Sequence, residues 1–368
     1  MTLGLNYETS DLTMNFGGLY SRYIGDHFGN LLWGQTIGDT QPNHRFYESQ
    51  GIKTEGSFFA KATQKLTSKL TGFLDLQFRG IDYNVDGTVS GPQDFSVDDQ
   101  FAFFNPKAGL TFMLSQKQNL YFSYAKAQRE PNRTDYENGS PKPEKLNDFE
   151  LGWRMKKEKI QAQANLYWME YQDQLVLTGA IDEVGAPIRQ NVGKSRRVGI
   201  EIEATIQLAD QWLFKPNLAV SSNQNLDFYF KRDGILQSLG KTQLAYSPNI
   251  VGGNALVYAP STHFQVGLLS KYVGKQYMGN INSENSSLPS YFISDINAVF
   301  SWQPKKWVKE IQWSTTINNI FNLKYLSNGY FYTYDDDWTS PGQTTTIEGA
   351  GYYPQAGLHF LSGLKLIF

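Results

Sequence analysis

The sequence predicts an all-β protein, an antiparallel up-and-down barrel that crosses a membrane with its strands, and three observations predict it. Apolar and polar residues alternate with period two in segments of about 10 to 16 residues, longer than the usual strand of about 5 or 6. The connections between the segments alternate between short and long. Aromatic residues make up 15% of the 368 residues while only 18% are charged, against about a quarter in ordinary soluble domains.

The composition also excludes function classes. Disorder needs few aromatics and much charge, the reverse of this chain. A formal net charge of -2 offers no basic footprint for nucleic acid. Four His and no Cys leave no zinc cluster to assemble, so no side-chain metal site and no cofactor are expected. No apolar run approaches the roughly 18 residues of a membrane helix, and residues 1–7 lack the basic and apolar pattern of a secretion signal.

Taken in chain order, the alternation has the same form each time. Leu70, Gly72, Leu74, Leu76 and Phe78 oppose Thr71, Phe73, Asp75, Gln77 and Arg79. Ile160, Ala162, Ala164, Leu166 and Trp168 alternate with Gln161, Gln163, Asn165 and Tyr167. Val198, Ile200, Ile202, Ala204 and Ile206 oppose Gly199, Glu201, Glu203, Thr205 and Gln207. Leu358, Phe360, Leu364, Leu366 and Phe368 close the chain against Gly357, His359, Gly363 and Lys365. Two carboxylates on one face require water, so Glu201 and Glu203, like Asp75 and Arg79, are expected to face an aqueous lumen while the greasy face meets lipid.

Short connections are expected at 8–11, 65–68, 115–118, 156–158, 208–211, 259–262 and 303–309, and long ones at 25–50, 84–100, 131–145, 177–190, 226–246, 279–289 and 324–354. Strict interleaving is what an up-and-down barrel must show, because every second hairpin end faces the same side. The segments number about 15, the first starting almost at Met1. Single-chain bacterial barrels carry even counts and no open edge, so residues 1–368 are expected to be the C-terminal part of a larger barrel.

Several stretches carry a family likeness: residues 22–29, 104–111 with 121–124, 142–152 and 197–201, then Ile317-Asn318-Asn319-Ile320-Phe321-Asn322-Leu323-Lys324-Tyr325, and 353–357 leading to Phe368. In this order they resemble the C-terminal barrel of TonB-dependent outer-membrane receptors, of the iron-complex or siderophore type found in Bacteroidetes-like bacteria. The resemblance implies a 22-stranded barrel closed by a plug domain, with plug and first strands lying outside this chain. It also implies an outer-membrane receptor that binds a scarce solute, a ferric siderophore or related iron complex first, and imports it with energy from the TonB complex, engaged through the N-terminal region. Haem, cobalamin, thiamine or a glycan as ligand, or a passive porin, stand as alternatives. Outer-membrane lipid and the barrel-assembly machinery are the other implied partners, and Gly363, Leu366 and Phe368 fit the family's assembly signal, where Leu361 replaces its polar residue.

Candidate side chains carry two readings each. Trp168, Trp302, Trp307 and Trp313 near strand ends read as interface girdle. Trp33, Tyr229, Tyr330, Tyr332, Tyr334 and Trp338 fall in long connections, where large rings either pack the loops together or contact a ligand. His27 is a candidate ligand contact or a loop-ordering group. Arg129 and Arg133 flank Pro131 and suit a carboxylate or catecholate clamp, or pairing with Glu130 or Asp135. Asp335, Asp336 and Asp337 lack the spacing of a calcium loop and read as a solvated charge run. His27, His44, His263 and His359 sit in no nucleophile-and-base arrangement, so no enzyme activity is expected.

Overall fold

The computed structural model describes residues 1–36, 38, 40–41, 43–89, 93–181, 187–304 and 307–368. Parts of the expected connections 25–50, 84–100, 177–190 and 303–309 lie outside the described residues. Strand accounts for 76% of the chain and helix for 2%. The chain forms two compact units, Met1–Thr111 with Ser123–Asn147, and Phe112–Phe122 with Asp148–Phe368.

In the first unit, β1 (Thr2–Glu8), β2 (Leu12–Leu31), β3 (His44–Lys65) and β4 (Leu70–Val89) pair antiparallel in chain order. Among the described residues β1 has a ladder partner on one edge, β2. There follow β5 (Gln93–Ser115), β6 (Gln118–Arg129), the short helix α1 (Arg133–Glu137) and β7 (Glu144–Lys156). Asn132 starts α1 with a capping box: its side chain accepts from the Asp135 N–H, and the Asp135 carboxylate accepts from the Asn132 N–H.

In the second unit, β8 (Ile160–Ile181), β9 (Pro187–Ala209) and β10 (Trp212–Arg232) form an antiparallel ladder. Beyond Asn223 the far part of β10 pairs β11 (Ile235–Gln243), while its near part pairs β12 (Ile250–Ser261). The ladder continues through β13 (Phe264–Val273), past the two-residue strands β14 (Gln276–Tyr277) and β15 (Ser287–Leu288), to β16 (Tyr291–Trp302) and β17 (Glu310–Asn318). A hairpin of β18 (Leu326–Asp336) and β19 (Thr345–Pro354) interrupts it before β20 (His359–Ile367) pairs with β17.

The described residues thus hold twenty strands where about 15 segments are expected from the sequence. Fifteen of them are the expected run; β11, β14, β15, β18 and β19 lie in or beside segments read as long connections. The wall strands also outrun the expected boundaries: β2 reaches Leu31, β8 reaches Ile181 and β10 reaches Arg232. The physical reason is that the backbone still needs hydrogen-bond partners beyond the membrane band, and continuing the hairpin ladder supplies them.

Exposure along the wall is inverted relative to a soluble protein. Leu74, Leu76 and Phe78 are exposed while Asp75, Gln77 and Arg79 between them are half-buried. In the second unit, register aligns Leu166, Ile200 and Val220 in one row and Ala164, Ile202 and Leu218 in the next on the same face. The rows between them on the other face hold Asn165 with Glu201, and Gln163 with Glu203 and Asn217. An apolar surface turned outward in rows needs lipid around it.

Buried apolar cores sit instead in the extended hairpins. In the second unit Val176, Val192, Phe228, Phe230, Leu244, Met278, Ile281, Leu288 and Phe331 pack together. In the first unit Val85, Phe95 and Val97 form a smaller cluster with Tyr83, Val89 and Tyr136 against it.

Candidate functional site

The hairpin β18–β19 presents two different faces because side chains alternate along a strand. Phe331 and Thr333 are buried, and Thr333 pairs in parallel with Ala180 at the far end of β8. Tyr330, Tyr332 and Tyr334 point the other way, with Trp338 beyond them. Successive ring centroids lie 6.2, 6.4 and 5.8 Å apart at interplanar angles of 17°, 16° and 6°. Tyr353 joins at 6.0 Å from Tyr330. Half or more of Tyr330 and Trp338 remains exposed.

The partner strand explains why the rings lie in line. Gly351 stands opposite Tyr330 and Gly349 opposite Tyr332. A methyl group at either glycine would run into the tyrosine ring across from it, so the rings lean over the bare backbone of β19. The result is a continuous aromatic surface, suited to covering a flat organic ligand.

The buried face of the hairpin is fastened electrostatically. Glu348 accepts from Arg232 Nη2 at 2.8 Å, from Asn285 Nδ2 at 3.1 Å and from the Ser283 hydroxyl. Burial by itself would raise this carboxyl, but the Ser283, Arg232 and Asn285 donors outweigh it and hold the group below the ordinary carboxylate range. Asp233 and Thr346 exchange reciprocal bonds of 2.7 and 2.8 Å, and the Thr346 hydroxyl donates to Asp335 at 2.8 Å. Tyr246 donates to the Gly329 carbonyl at 2.9 Å and Tyr352 to the Asn285 carbonyl at 2.9 Å.

The sequence-derived candidates distribute as follows. Tyr330, Tyr332, Tyr334 and Trp338 come together in the aromatic row. Tyr229 is 59% exposed on β10, opposite Ser238 of β11, pointing away from the packed Phe228 and Phe230. The acidic run is structural at two of its three members: Asp335 faces Lys231 at 3.5 Å, and Asp336 caps the backbone N–H groups of Trp338 and Thr339. The Thr339 and Trp338 donors hold the Asp336 carboxyl below its ordinary range.

In the first unit, His27 lies within β2 opposite Ser49, rather than in an irregular loop, because the β2–β3 ladder continues beyond it. Trp33 is 80% exposed. Arg133 is mostly buried, paired with Glu137 at 2.7 Å and placed over the Phe95 ring at 5.1 Å, so it orders its own segment. Arg129 pairs with Glu144 yet keeps 63% of its side chain exposed. Between them, Glu130 accepts from Lys53 at 2.5 Å and from Arg79 at 3.4 Å, and Arg79 also donates to Glu55 at 2.9 Å. Burial works against the Glu130 charge, but Lys53, a backbone bond and Arg79 together outweigh it and hold the carboxyl below its ordinary range. Tyr136, half-buried and donating to Asp99 at 2.5 Å, has its phenol pushed up by both the burial and the bond.

The expected lumen residues share polar surroundings. Asp75 stands opposite Lys61 across the ladder. Glu203 accepts from Gln163 at 2.6 Å in a hollow lined also by Arg154, Thr205, Lys215 and Asn217. Glu201 borders a second hollow with Glu150, Asn165 and Arg197. At the C-terminal strand Gly363 pairs with Ser314 and Leu366 with Ile311, and Phe368 is exposed.

Two groups escaped the sequence reading. Glu348 sits in a stretch with no local basic partner, and only Gly349 and Gly351 opposite two tyrosines signal a constrained hairpin. Asn319 explains the diagnostic run after β17. It is buried at φ 51°, donates to the Leu323 carbonyl at 2.8 Å and the Ala356 carbonyl at 3.1 Å, and accepts from the Leu323 N–H at 2.9 Å. Its own N–H goes to Asp295 at 2.7 Å. That asparagine ties the start of the β18–β19 excursion to its return.

Residues 1–323 match the family described as TonB dependent receptor-like, beta-barrel. The catecholate siderophore receptor Fiu of Escherichia coli (strain K12) is 21% identical over 287 residues, covering 70% of this chain and 32% of Fiu. The crystal structure of Fiu in its closed form superposes over 100% of this chain and 54% of that chain, with a TM-score of 0.69 and 15% identity. The copper transporter OprC covers 99% and 55%, with a TM-score of 0.72 and 17% identity. Unliganded ferric citrate transporter FecA covers 98% and 53%, at 0.66 and 15%. At such identities these structures speak for the fold. The chain spans about a third of the curated relative's length and about half of the solved ones.

Proposed function

From its membership of the TonB-dependent receptor β-barrel family, to which this chain belongs, we propose that it forms wall and extracellular hairpins of an outer-membrane receptor for an iron complex, a ferric siderophore first, imported with TonB-derived energy. The family is one of outer-membrane receptors, and relatives named as a catecholate siderophore receptor and a ferric citrate transporter support transport of an iron complex as the reading. The observation that carries the ligand reading is the exposed aromatic row Tyr330, Tyr332, Tyr334 and Trp338. Fiu, named as a catecholate siderophore receptor, makes a ferric catecholate the first compound to try. The flat rings of a catecholate match an aromatic surface.

The test is uptake of radioactive iron as a ferric catecholate by cells carrying the receptor, with surface amounts measured in parallel. Tyr332→Ala and Tyr334→Ala should each weaken half-saturation by about three- to tenfold, as expected for losing about 0.5–1.5 kcal/mol of ring contact. Unchanged uptake in both variants and in Trp338→Ala would remove the ligand from this hairpin.

A further inference from the structure

Glu348 stands where three separate segments meet. Arg232 ends β10, Ser283 and Asn285 belong to the short turn before β15, and Glu348 itself lies in the distal half of the β18–β19 hairpin. Its side chain is 13% exposed. A carboxylate so removed from water is tolerable only when its oxygens are bonded, and charge-assisted bonds are roughly twice as strong as neutral ones.

The two halves of the hairpin are held differently. The proximal half is fixed by apolar packing, since Phe331 enters the buried cluster with Met278 and Leu288, and by the Tyr246 bond to Gly329. The distal half has no buried apolar side chain: Thr333, opposite Glu348, meets Ala180 of β8, Glu348 reaches Arg232, Ser283 and Asn285, and the Asp233–Thr346 exchange and Asp335 with Lys231 connect it to the tip of the β10–β11 hairpin. Apolar packing does not let go piecemeal, whereas a polar contact can be exchanged for water. Alternation also places Glu348 next to Gly349, so the residue that reaches down to Arg232 is the chain neighbour of the one beneath the Tyr332 ring.

We infer that Glu348 is a positioning residue, a clasp that holds the distal half of the β18–β19 hairpin and so sets the line of Tyr332, Tyr334 and Trp338 for ligand. The inference rests on the reading of that aromatic row as the ligand surface. Releasing the clasp leaves the proximal half docked and lets the distal half move. If the hairpin then occupies the bound arrangement about a tenth of the time, apparent affinity falls about tenfold, with the contacts themselves unchanged.

Residues 1–368 hold no Cys, so within them only the introduced thiols take a label. Nitroxides at Ser340→Cys, on the hairpin tip, and Ser261→Cys, at the far end of β12, report the position of the distal half in outer-membrane preparations of the whole receptor. Without ligand, one narrow distance distribution is expected for the parent and a clearly broader one for Glu348→Ala, with the barrel's melting temperature unmoved. Arg232→Ala provides the same measurement should Glu348→Ala fail to assemble. In uptake, Glu348→Ala should raise half-saturation about tenfold at retained maximal rate, and Glu348→Gln, which keeps an acceptor for Ser283 and Asn285, should recover part of the loss. An unbroadened distribution in both variants, or broadening only in step with barrel melting, overturns the clasp. Because the distances are read without ligand, failure of the ligand assignment would leave that result standing.

Discussion

The inverted wall makes a prediction that depends on depth as well as on face. Ile202 pairs with Ala164, the middle of the nine-residue alternating stretch Ile160 to Trp168, and with Leu218. A strand rising about 3.3 Å per residue and tilted about 40° advances about 2.5 Å along the membrane normal per residue, so Val198, four positions on, lies about 10 Å higher. The outward apolar band of such barrels is about 25 Å tall, which sets Val198 near its edge and Ile202 near its midplane. Ile202→Arg should therefore cost about 2–4 kcal/mol, and Val198→Arg about 1 kcal/mol or less. Glu203→Arg, one residue from Ile202 but on the other face, should cost about 0.5–1.5 kcal/mol for the bond from Gln163 and nothing for lipid. Urea titration of the receptor in lipid vesicles, followed by its shift in electrophoretic mobility on heating, measures all three. If Glu203→Arg proved as costly as Ile202→Arg, or Val198→Arg costlier than both, the assignment of faces and of the midplane would fail.

Other outcomes follow from single groups. Glu348 titrates below the ordinary carboxylate range, so its contribution to hairpin order is fully present above that range and is lost as pH falls through its lowered value; Arg232, Ser283 and Asn285 are the groups that bond it. Protease cutting between Asp336 and Thr345 should rise only as pH falls below the ordinary carboxylate range, and Glu348→Gln should flatten the profile. Asn319→Ala should cost about 0.5–1.5 kcal/mol for each side-chain bond lost to Leu323 and Ala356, read in the same urea titration; a total loss under about 0.5 kcal/mol would refute its tying role. Tyr136→Phe should cost about 1.5–3 kcal/mol of local order around α1, seen as faster amide exchange at 132–138, since it removes a bond to a carboxylate. Arg133→Ala should leave ligand half-saturation unchanged, because its guanidinium is committed to Glu137 and Phe95.

The sequence carried the wall and much less of what stands above it. Leu74, Leu76 and Phe78 against Asp75, Gln77 and Arg79 are readable because lipid and water impose opposite demands on alternate residues. Beyond the membrane both faces of a hairpin meet mixtures of water and protein, and the pattern loses its sign. Thus Phe228 and Phe230 turn into the buried cluster while Tyr229 and Lys231 turn out, in a stretch that otherwise resembles a loop. Roles that depend on distant partners were beyond local reading: Arg133 has its acid four residues away, but the Phe95 ring and the three donors of Glu348 come from other elements. The aromatic candidates in 330–338 could be picked out by type, and their alignment became visible only with Gly349 and Gly351 set opposite them.

Those two glycines also constrain how the hairpin can vary among descendants of this chain. One residue inserted in β18 exchanges its faces, sending tyrosines toward the buried cluster and Phe331 into water. Two residues inserted there restore the faces but slide one ring onto its neighbour's glycine and the other onto a position with a side chain, Ile347 or Tyr353 according to the direction of the slide. Lengthening is harmless only in the connection 337–344, beyond the last ladder pair, Asp336 with Thr345. Variation in length is expected to concentrate there, while substitutions of Tyr330 and Tyr332 are expected to arise together with changes at 351 and 349.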